Sequence, residues 1–163
     1  MSYDLYAFDA YGTLFDVHAA VARHAHAVGP QAARLSELWR TKQLEYTWVR
    51  SLAGAYRASG RTEEARNLIR RWWRDALFDS APQSAMRARF GDYLSADDNL
   101  HRADMLLYGP QGPAAREMVA SLPEPYRAIA DARIALRSNL STGNDMIAAM
   151  TPEQRQDPGL VYE

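Results

Sequence analysis

The chain has 163 residues, a formal net charge of -1 and no cysteine. That length suits one domain with a real core or two small pieces. A near-neutral charge without long charged blocks argues against a dedicated nucleic-acid-binding or polybasic membrane-binding protein, and the lack of cysteine excludes disulfides and thiolate catalysis. Because the sequence shows neither a signal peptide nor an apolar run of about 20 residues, it predicts a cytoplasmic, soluble chain as written.

The first predicted element is a single β-strand. Residues 3–9, with the sequence "YDLYAFD", are apolar and aromatic and end at the turn signal "YGT". A strand that is apolar on both faces needs partners for its backbone N–H and C=O groups. The nearest candidate partner, "RIALRS" at 133–138, has a composition that favours helix instead.

The remainder of the chain predicts helices. From about Val17 the pattern is helical, and Gly29-Pro30 interrupts it before a longer helix from about Gln31 to Arg57. The next helix is the clearest one, because its apolar residues recur at spacings of three and four. These residues are Ala65, Leu68, Ile69, Trp72, Trp73, Ala76 and Leu77.

Later helices are predicted from their start and stop residues. Ser95 is expected to cap a helix that continues through Leu107 and stops at Gly109, and prolines mark further helix starts. These prolines are Pro113, Pro125 and Pro152. The predicted fold class is therefore mainly α: helical hairpins that resemble an α-solenoid, preceded by one β-strand–loop–helix unit.

The end of the predicted strand carries the first candidate for chemistry. Asp9 lies where open α/β sheets place reacting groups, Gly12 permits close approach of the backbone, and Thr13 is able to hydrogen-bond an anion. An aspartate at a strand end is as often only a cap or a turn former. Spacing alone leaves both interpretations open.

Residues 1–56 resemble the N-terminus of the type II 2-haloacid dehalogenases of the HAD superfamily. The stretches that carry the resemblance are "FDAYGTLFDVH", "LWRTKQLEYTW" and "RSLAGAY". In HAD phosphatases a second aspartate, two residues after the nucleophile, protonates the leaving alkoxide. A halide leaves without a proton, so Tyr11 at that position fits carbon–halogen cleavage.

The resemblance implies the activity of an (S)-2-haloacid dehalogenase on a small 2-haloacid, without a metal or other cofactor. Asp9 would be the nucleophile that displaces halide and forms an ester, which water then hydrolyses at the carboxyl carbon. Arg40 would stabilise the departing halide through its fixed positive charge. The substrate pocket would be lined by Tyr11, Thr13, Gln43 and Leu44.

The same resemblance implies parts that are missing here. The family needs a Ser-Asn pair after a second strand, a downstream lysine and a later acidic motif. Lys42 is the only lysine of this chain and already belongs to the dehalogenase-like segment. Ser138-Asn139 matches the pair superficially, but a polar loop after a helix is the better interpretation, because no β-branched strand precedes it. We therefore expect a catalytically incomplete enzyme.

Residues 53–163 resemble the N-terminal superhelical region of soluble lytic murein transglycosylases. The stretches involved are "AYRASGRTEEARNLIRRWWR", "MRARFGDYLSADDNLHRADMLLYGPQGPAAREMV", "YRAIADARIAL" and "DPGLVYE". The two resemblances together predict a chimera with domains at 1–56 and 57–163. The alternative function is a non-catalytic, peptidoglycan-associated helical scaffold, which would be periplasmic if an export signal had been lost.

Other sequence features favour structure over function. Trp72 and Trp73 in "RRWWR" suggest nucleic-acid stacking, but they lie on the apolar stripe, so core packing beside a solvated arginine face is preferred. His24 and His26 do not share a helix face, so no metal pair is expected. No motif specifies an oligomeric state.

Overall fold

The computed structural model of this protein describes residue 16 and residues 18–163. The predicted strand at 3–9 lies outside the described residues. Within them the regular elements are helices and no strand occurs, which confirms the mainly α fold class. The first helices are α1 (Ala19–Arg23), α2 (Ala25–Val28) and α3 (Ala32–Ala58), with a 3₁₀ turn at Gly29–Gln31. The later helices are α4 (Thr62–Asp75), α5 (Ser80–Phe90), α6 (Ala96–Tyr108), α7 (Pro113–Ala120), α8 (Tyr126–Arg137), α9 (Thr142–Ala148), α10 (Pro152–Arg155) and α11 (Pro158–Tyr162), with a second 3₁₀ turn at Gly91–Tyr93.

The chain divides into two compact units, Met1–Trp48 and Val49–Glu163, and the division falls within α3. The first unit contains α1, α2 and the beginning of α3, and the second contains the end of α3 and all later helices. The predicted boundary after residue 56 rests on sequence resemblance rather than on compactness, and it stays a prediction. Among the described helices, none combines the length and the apolar content that a membrane span requires.

Helix α3 ends through a left-handed glycine. Gly60 has φ +76°, its N–H donates to the carbonyl of Arg57, and the N–H of Arg61 donates to the carbonyl of Tyr56. This is the Schellman arrangement, in which two otherwise unpaired carbonyls of the last turn find donors. It explains why the helix stops close to the predicted end at Arg57.

The apolar face predicted for α3 is only partly buried. Ala53 is completely buried, whereas the side chains of Leu35, Leu38 and Trp39 are 44%, 56% and 45% exposed. The first unit therefore leaves these large apolar side chains about half exposed to solvent. Their partial burial contributes less to stability than full burial would.

The second unit has a continuous core that begins on α4. Ile69 and Trp73 are fully buried there, and Trp72 stacks on Phe78 with the ring centroids 4.2 Å apart. Both tryptophans thus serve packing, as predicted. Helix α4 packs on α6, α6 on α7 and α8, and α8 on α9 and α11, so helices that are near in sequence are also neighbours in space.

Local signals in the sequence set several helix ends in this unit. Ser95 forms a capping box with Asp98 at the start of α6, and Gly109 follows the last residue of α6. Pro113 and Pro152 occupy the first position of their helices, where the missing N–H costs no hydrogen bond. At the end of α8, Asn139 adopts φ +52° and so terminates a helix. Ser138-Asn139 therefore follows a helix, which confirms the polar-loop interpretation.

Candidate functional site

Helix α3 carries three of the six predicted site residues. Arg40 and Gln43 lie one turn apart and are half-buried, and Nη1 of Arg40 donates to Oε1 of Gln43 at 3.5 Å. Leu44 is 47% exposed. The other three predicted residues, Asp9, Tyr11 and Thr13, lie outside the described residues.

A shallow apolar groove opens on the same unit. It has a volume of about 290 Å³ and is lined by Val21, His24, Val28, Leu35 and Trp39. Among the described residues its lining is almost entirely carbon, and the imidazole of His24 is the one titratable group there. Such a surface suits the carbon chain of a small ligand better than its charged end.

A serine and a histidine contact each other beside the helices of this groove, and no described carboxylate completes a catalytic triad with them. Nδ1 of His18 lies 2.6 Å from Oγ of Ser36, and the backbone N–H of His18 donates to Oδ1 of Asp16 at 2.9 Å. In a triad the carboxylate holds the imidazole ring, whereas here it holds the backbone. Ser36 is also only 5% exposed within α3, so the pair fastens the start of α1 to α3.

A buried polar cluster of the second unit centres on Asp98, a fully buried carboxylate. Oδ2 of Asp98 accepts from Nε of Arg70 at 2.8 Å and from the N–H of Ser95 at 2.8 Å, and Oδ1 accepts from Nε of Arg74. Burial would raise the pKa of the Asp98 carboxyl, but the backbone and hydroxyl of Ser95 and the two guanidinium groups more than offset it. The pKa therefore lies well below its usual range.

This cluster adds a structural role to the arginine face predicted for α4, whose side chains remain partly exposed to solvent. Arg70 and Arg74 reach across to α6 and neutralise a carboxylate that has no access to water. The sequence held one signal, because Ser-x-x-Asp at 95–98 is a capping box. That signal locates the carboxylate at a helix start but does not identify arginines 24 and 28 residues away as its partners.

Arg102 is a second buried charge that sequence reasoning missed. Its Nε donates to Oε1 of Gln83 at 2.7 Å, and its Nη1 donates to the carbonyls of Trp73 at 2.8 Å and Ala76 at 3.2 Å. The guanidinium also lies 3.7 Å from the centroid of the Phe78 ring. Burial lowers the pKa of Arg102 to about 10. Because it closes the C-terminal end of α4, its role is structural.

Within the described part of the chain, no group of three or more His, Asp or Glu side chains is arranged to hold a metal ion. The acidic side chains that cluster there are instead paired with arginines, as at Asp98. At the predicted site the described residues therefore supply a guanidinium and a neighbouring amide on α3. The same unit also carries the apolar groove.

Comparison with known proteins supports the dehalogenase resemblance. The chain is 61% identical over 49 residues to (S)-2-haloacid dehalogenase 1 of Pseudomonas sp. (strain CBS-3), which is 30% of this chain and 22% of that protein. It is likewise 61% identical over 49 residues to (S)-2-haloacid dehalogenase 4A of Burkholderia cepacia, covering 30% and 21%. Against (S)-2-haloacid dehalogenase H-109 of Pseudomonas putida it is 54% identical over 59 residues, covering 36% and 26%.

These matches are strong but short. The chain spans roughly a fifth to a quarter of the length of these relatives. No family model matches the chain, and no solved structure matches it. The resemblance of residues 53–163 to murein transglycosylases receives no support from these comparisons, and neither does the inferred chimera.

Proposed function

We propose that this chain is a hydrolase derived from a 2-haloacid dehalogenase and that it lacks part of the catalytic machinery. The observation that carries the proposal is the identity of 54–61% to (S)-2-haloacid dehalogenases over 49–59 residues. Identity of that level over such a stretch supports common ancestry, and the predicted nucleophile and halide-binding residue both belong to the dehalogenase-like segment.

The proposed reaction has two steps. A carboxylate oxygen of Asp9 attacks C2 of a small 2-haloacid, and the carbon–halogen electron pair leaves as halide. The resulting ester is hydrolysed when water attacks the carboxyl carbon of Asp9, which releases a 2-hydroxyacid and a proton and restores the carboxylate. Tyr11 and Thr13 complete the wall of the pocket.

Arg40 is the proposed halide-binding residue. Its guanidinium keeps its charge at every relevant pH and presents several donors to a departing anion. The contact with Gln43 supports a fixed orientation of that guanidinium on α3. Trp39, which lines the apolar groove, and Leu44 on α3 offer carbon surface for the substrate's alkyl part.

The proposed incompleteness rests on residues that cannot serve the missing roles. Lys42, the only lysine, pairs with Glu45 at 2.9 Å, and both side chains are about half exposed. Ser138-Asn139 terminates helix α8 rather than following a strand. An aspartyl ester without a supporting electrostatic frame loses most of its rate advantage, because that frame stabilises the charge of the transition state.

A graft tests the proposed roles directly. Residues 1–56 would replace the corresponding segment of the dehalogenase of Pseudomonas sp. (strain CBS-3), and chloride release from L-2-chloropropionate would be measured. We expect an active graft, a loss of at least about 1,000-fold in kcat for Asp9→Asn and a loss of about 100-fold for Arg40→Ala. Lys42→Ala, a change at an exposed ion pair, is the matched control and should keep the activity of the graft. A folded graft that releases no chloride would refute the proposal.

A second candidate function is the non-catalytic helical scaffold. It is favoured by the second unit, in which the buried charges of Asp98 and Arg102 tie helices together. A sedimentation assay with purified peptidoglycan sacculi tests it. Co-sedimentation that survives Asp9→Asn would support the scaffold, and recovery of the protein in the supernatant alone would exclude it.

A further inference from the structure

The second unit contains a carboxylate held by an arginine pair on one helix. Oε1 and Oε2 of Glu163 accept from Nη2 and Nε of Arg137 at 2.6 and 2.7 Å, which is a two-point contact. Nε2 of Gln111 donates to the same carboxylate at 3.2 Å. The Glu163 side chain is only 3% exposed, so planar donors surround it on several sides.

A second arginine faces the same carboxylate with donors unused. Arg133 lies one turn before Arg137 on α8, its side chain is 3% exposed, and its Nε is 3.9 Å from Oε1 of Glu163. Its Nη1 donates to Asp104 at 2.6 Å, but its Nε and Nη2 have no hydrogen-bond partner among the described residues. A buried guanidinium with unpaired donors favours the approach of a further anionic oxygen.

The backbone approaches the cluster closely at two positions, Gly159 and Gln111. Gly159 passes so close to the guanidinium of Arg133 that a Cβ at position 159 would collide with it. Gln111 adopts φ +53°, an unusual conformation for a side chain of its size, and its amide also donates to the carbonyl of Leu107. Tyr108 covers Arg133, with its ring centroid 4.7 Å from the guanidinium carbon.

The two arginines of the cluster require two negative charges for neutrality. Arg133 and Arg137 carry two positive charges, and Asp104, which is 56% exposed, supplies one negative charge from the rim. Glu163 supplies the other negative charge from inside. If Glu163 were withdrawn, a buried guanidinium would stand opposite an empty, donor-lined space.

We propose that Gln111, Arg133 and Arg137 form a carboxylate-binding site that Glu163 fills in cis. The site would take either a free small carboxylate or an acidic side chain of another polypeptide. The structure also indicates which acidic polypeptide would fit. Tyr162, next to Glu163, packs edge-on against Tyr108 with the ring centroids 5.2 Å apart. A peptide ligand would thus carry an aromatic residue directly before its acid. The site belongs to helices α6 to α11 and goes beyond the proposed dehalogenase function.

The test begins with the full chain carrying Glu163→Ala, which removes the carboxylate and leaves the space. We expect its Tm to fall by roughly 10 °C, because a buried guanidinium pair loses its counter-charge. Millimolar sodium acetate should restore part of that loss and shift the Nε–H resonances of Arg133 and Arg137. Equal sodium chloride should do neither, and wild-type protein should not respond to acetate.

Two controls keep the test decisive. Glu153→Ala, at an exposed glutamate of α10, should show no acetate response. If Glu163→Ala does not fold, Glu163→Ser replaces it, since this short side chain also removes the carboxylate and leaves the space open to acetate. A folded Glu163 variant whose melting temperature and arginine resonances ignore acetate would overturn the proposal. So would an equal response after Arg137→Gln is added.

A second arm separates the two ligand sources. The acetylated, amidated peptide Val-Tyr-Glu would be titrated into the Glu163→Ala protein, with Val-Tyr-Gln as its neutral match. Tighter binding of Val-Tyr-Glu than of acetate, with no binding of Val-Tyr-Gln, supports an acidic peptide segment as the ligand. Acetate binding with no gain from the peptide supports a free small carboxylate, and failure of both overturns the site.

Discussion

At the scale of single residues, buried charges hold this protein's second unit together. Asp98 has no exposure, yet its carboxylate stays ionised because Ser95, Arg70 and Arg74 all donate to it. Each donor favours the charged form, so together they lower the pKa of Asp98 despite its burial. Removing the carboxylate would leave two guanidinium groups without their shared partner.

This arrangement predicts a dependence of stability on pH. The pKa of Asp98 is lower in the folded than in the unfolded state, so its contribution is complete above the unfolded value of about 3.9 and is lost as the pH falls below it. We expect Asp98→Asn to lower the free energy of unfolding by about 3 kcal/mol at pH 7. The variant should also lose less stability than wild type when the pH falls from 5 to about 2.

Urea unfolding followed by circular dichroism at several pH values measures both effects. Asp97→Asn is the matched control, because the neighbouring side chain also contacts Arg74 but is 78% exposed. It should change the free energy of unfolding by less than about 1 kcal/mol. Equal losses in the two variants would contradict a special role for Asp98.

At the scale of the helices, the N-terminal half of α3 and helix α4 differ in how deeply their apolar side chains are buried. Both helices carry large apolar residues, but Ile69 on α4 is fully buried whereas Leu38 on α3 is 56% exposed. The difference comes from packing partners, since α4 lies against α6. Sequence periodicity reports which side chains share a face and contains no information on whether another element covers it.

The contrast predicts unequal effects of the same truncation. Ile69→Ala should lower the free energy of unfolding by about 2–5 kcal/mol, because it leaves a cavity in a closed core. Leu38→Ala should change it by less than about 0.5 kcal/mol, because that side chain is largely in water. Thermal and urea unfolding of both variants provides the measurement, and a larger loss for Leu38→Ala would show that the exposed face is covered in solution.

The same reasoning explains how much of the fold could be predicted. The end of α3 and the start of α6 follow local rules, a left-handed glycine and a capping box, and the bounds of these two helices lie within about two residues of the predicted ones. The partners of Asp98, Arg102 and Arg133 could not be predicted, because each contact joins residues more than ten positions apart. Of the candidate site, the sequence placed Arg40 and Gln43 on one helix, and their contact in the structure agrees with that placement.

At the scale of the whole molecule, the chain consists of two compact units of unequal kind. The first contains most of the segment that resembles dehalogenases, and its described helices present apolar side chains to solvent. The second has a closed core and buried ion pairs that fix its helices. A helical unit with a closed core, together with the proposed incompleteness of the dehalogenase-like segment, favours a protein that folds without sustaining haloacid turnover.

Chloride release by the intact chain, measured with L-2-chloropropionate beside Asp9→Asn, is the experiment to perform first. We predict that the two proteins release chloride at the same background rate, because the proposed function is that of a catalytically incomplete derivative of a dehalogenase. Chloride release by the wild type that disappears in Asp9→Asn would contradict catalytic incompleteness. It would show that residues of this chain have taken over the roles of the missing parts.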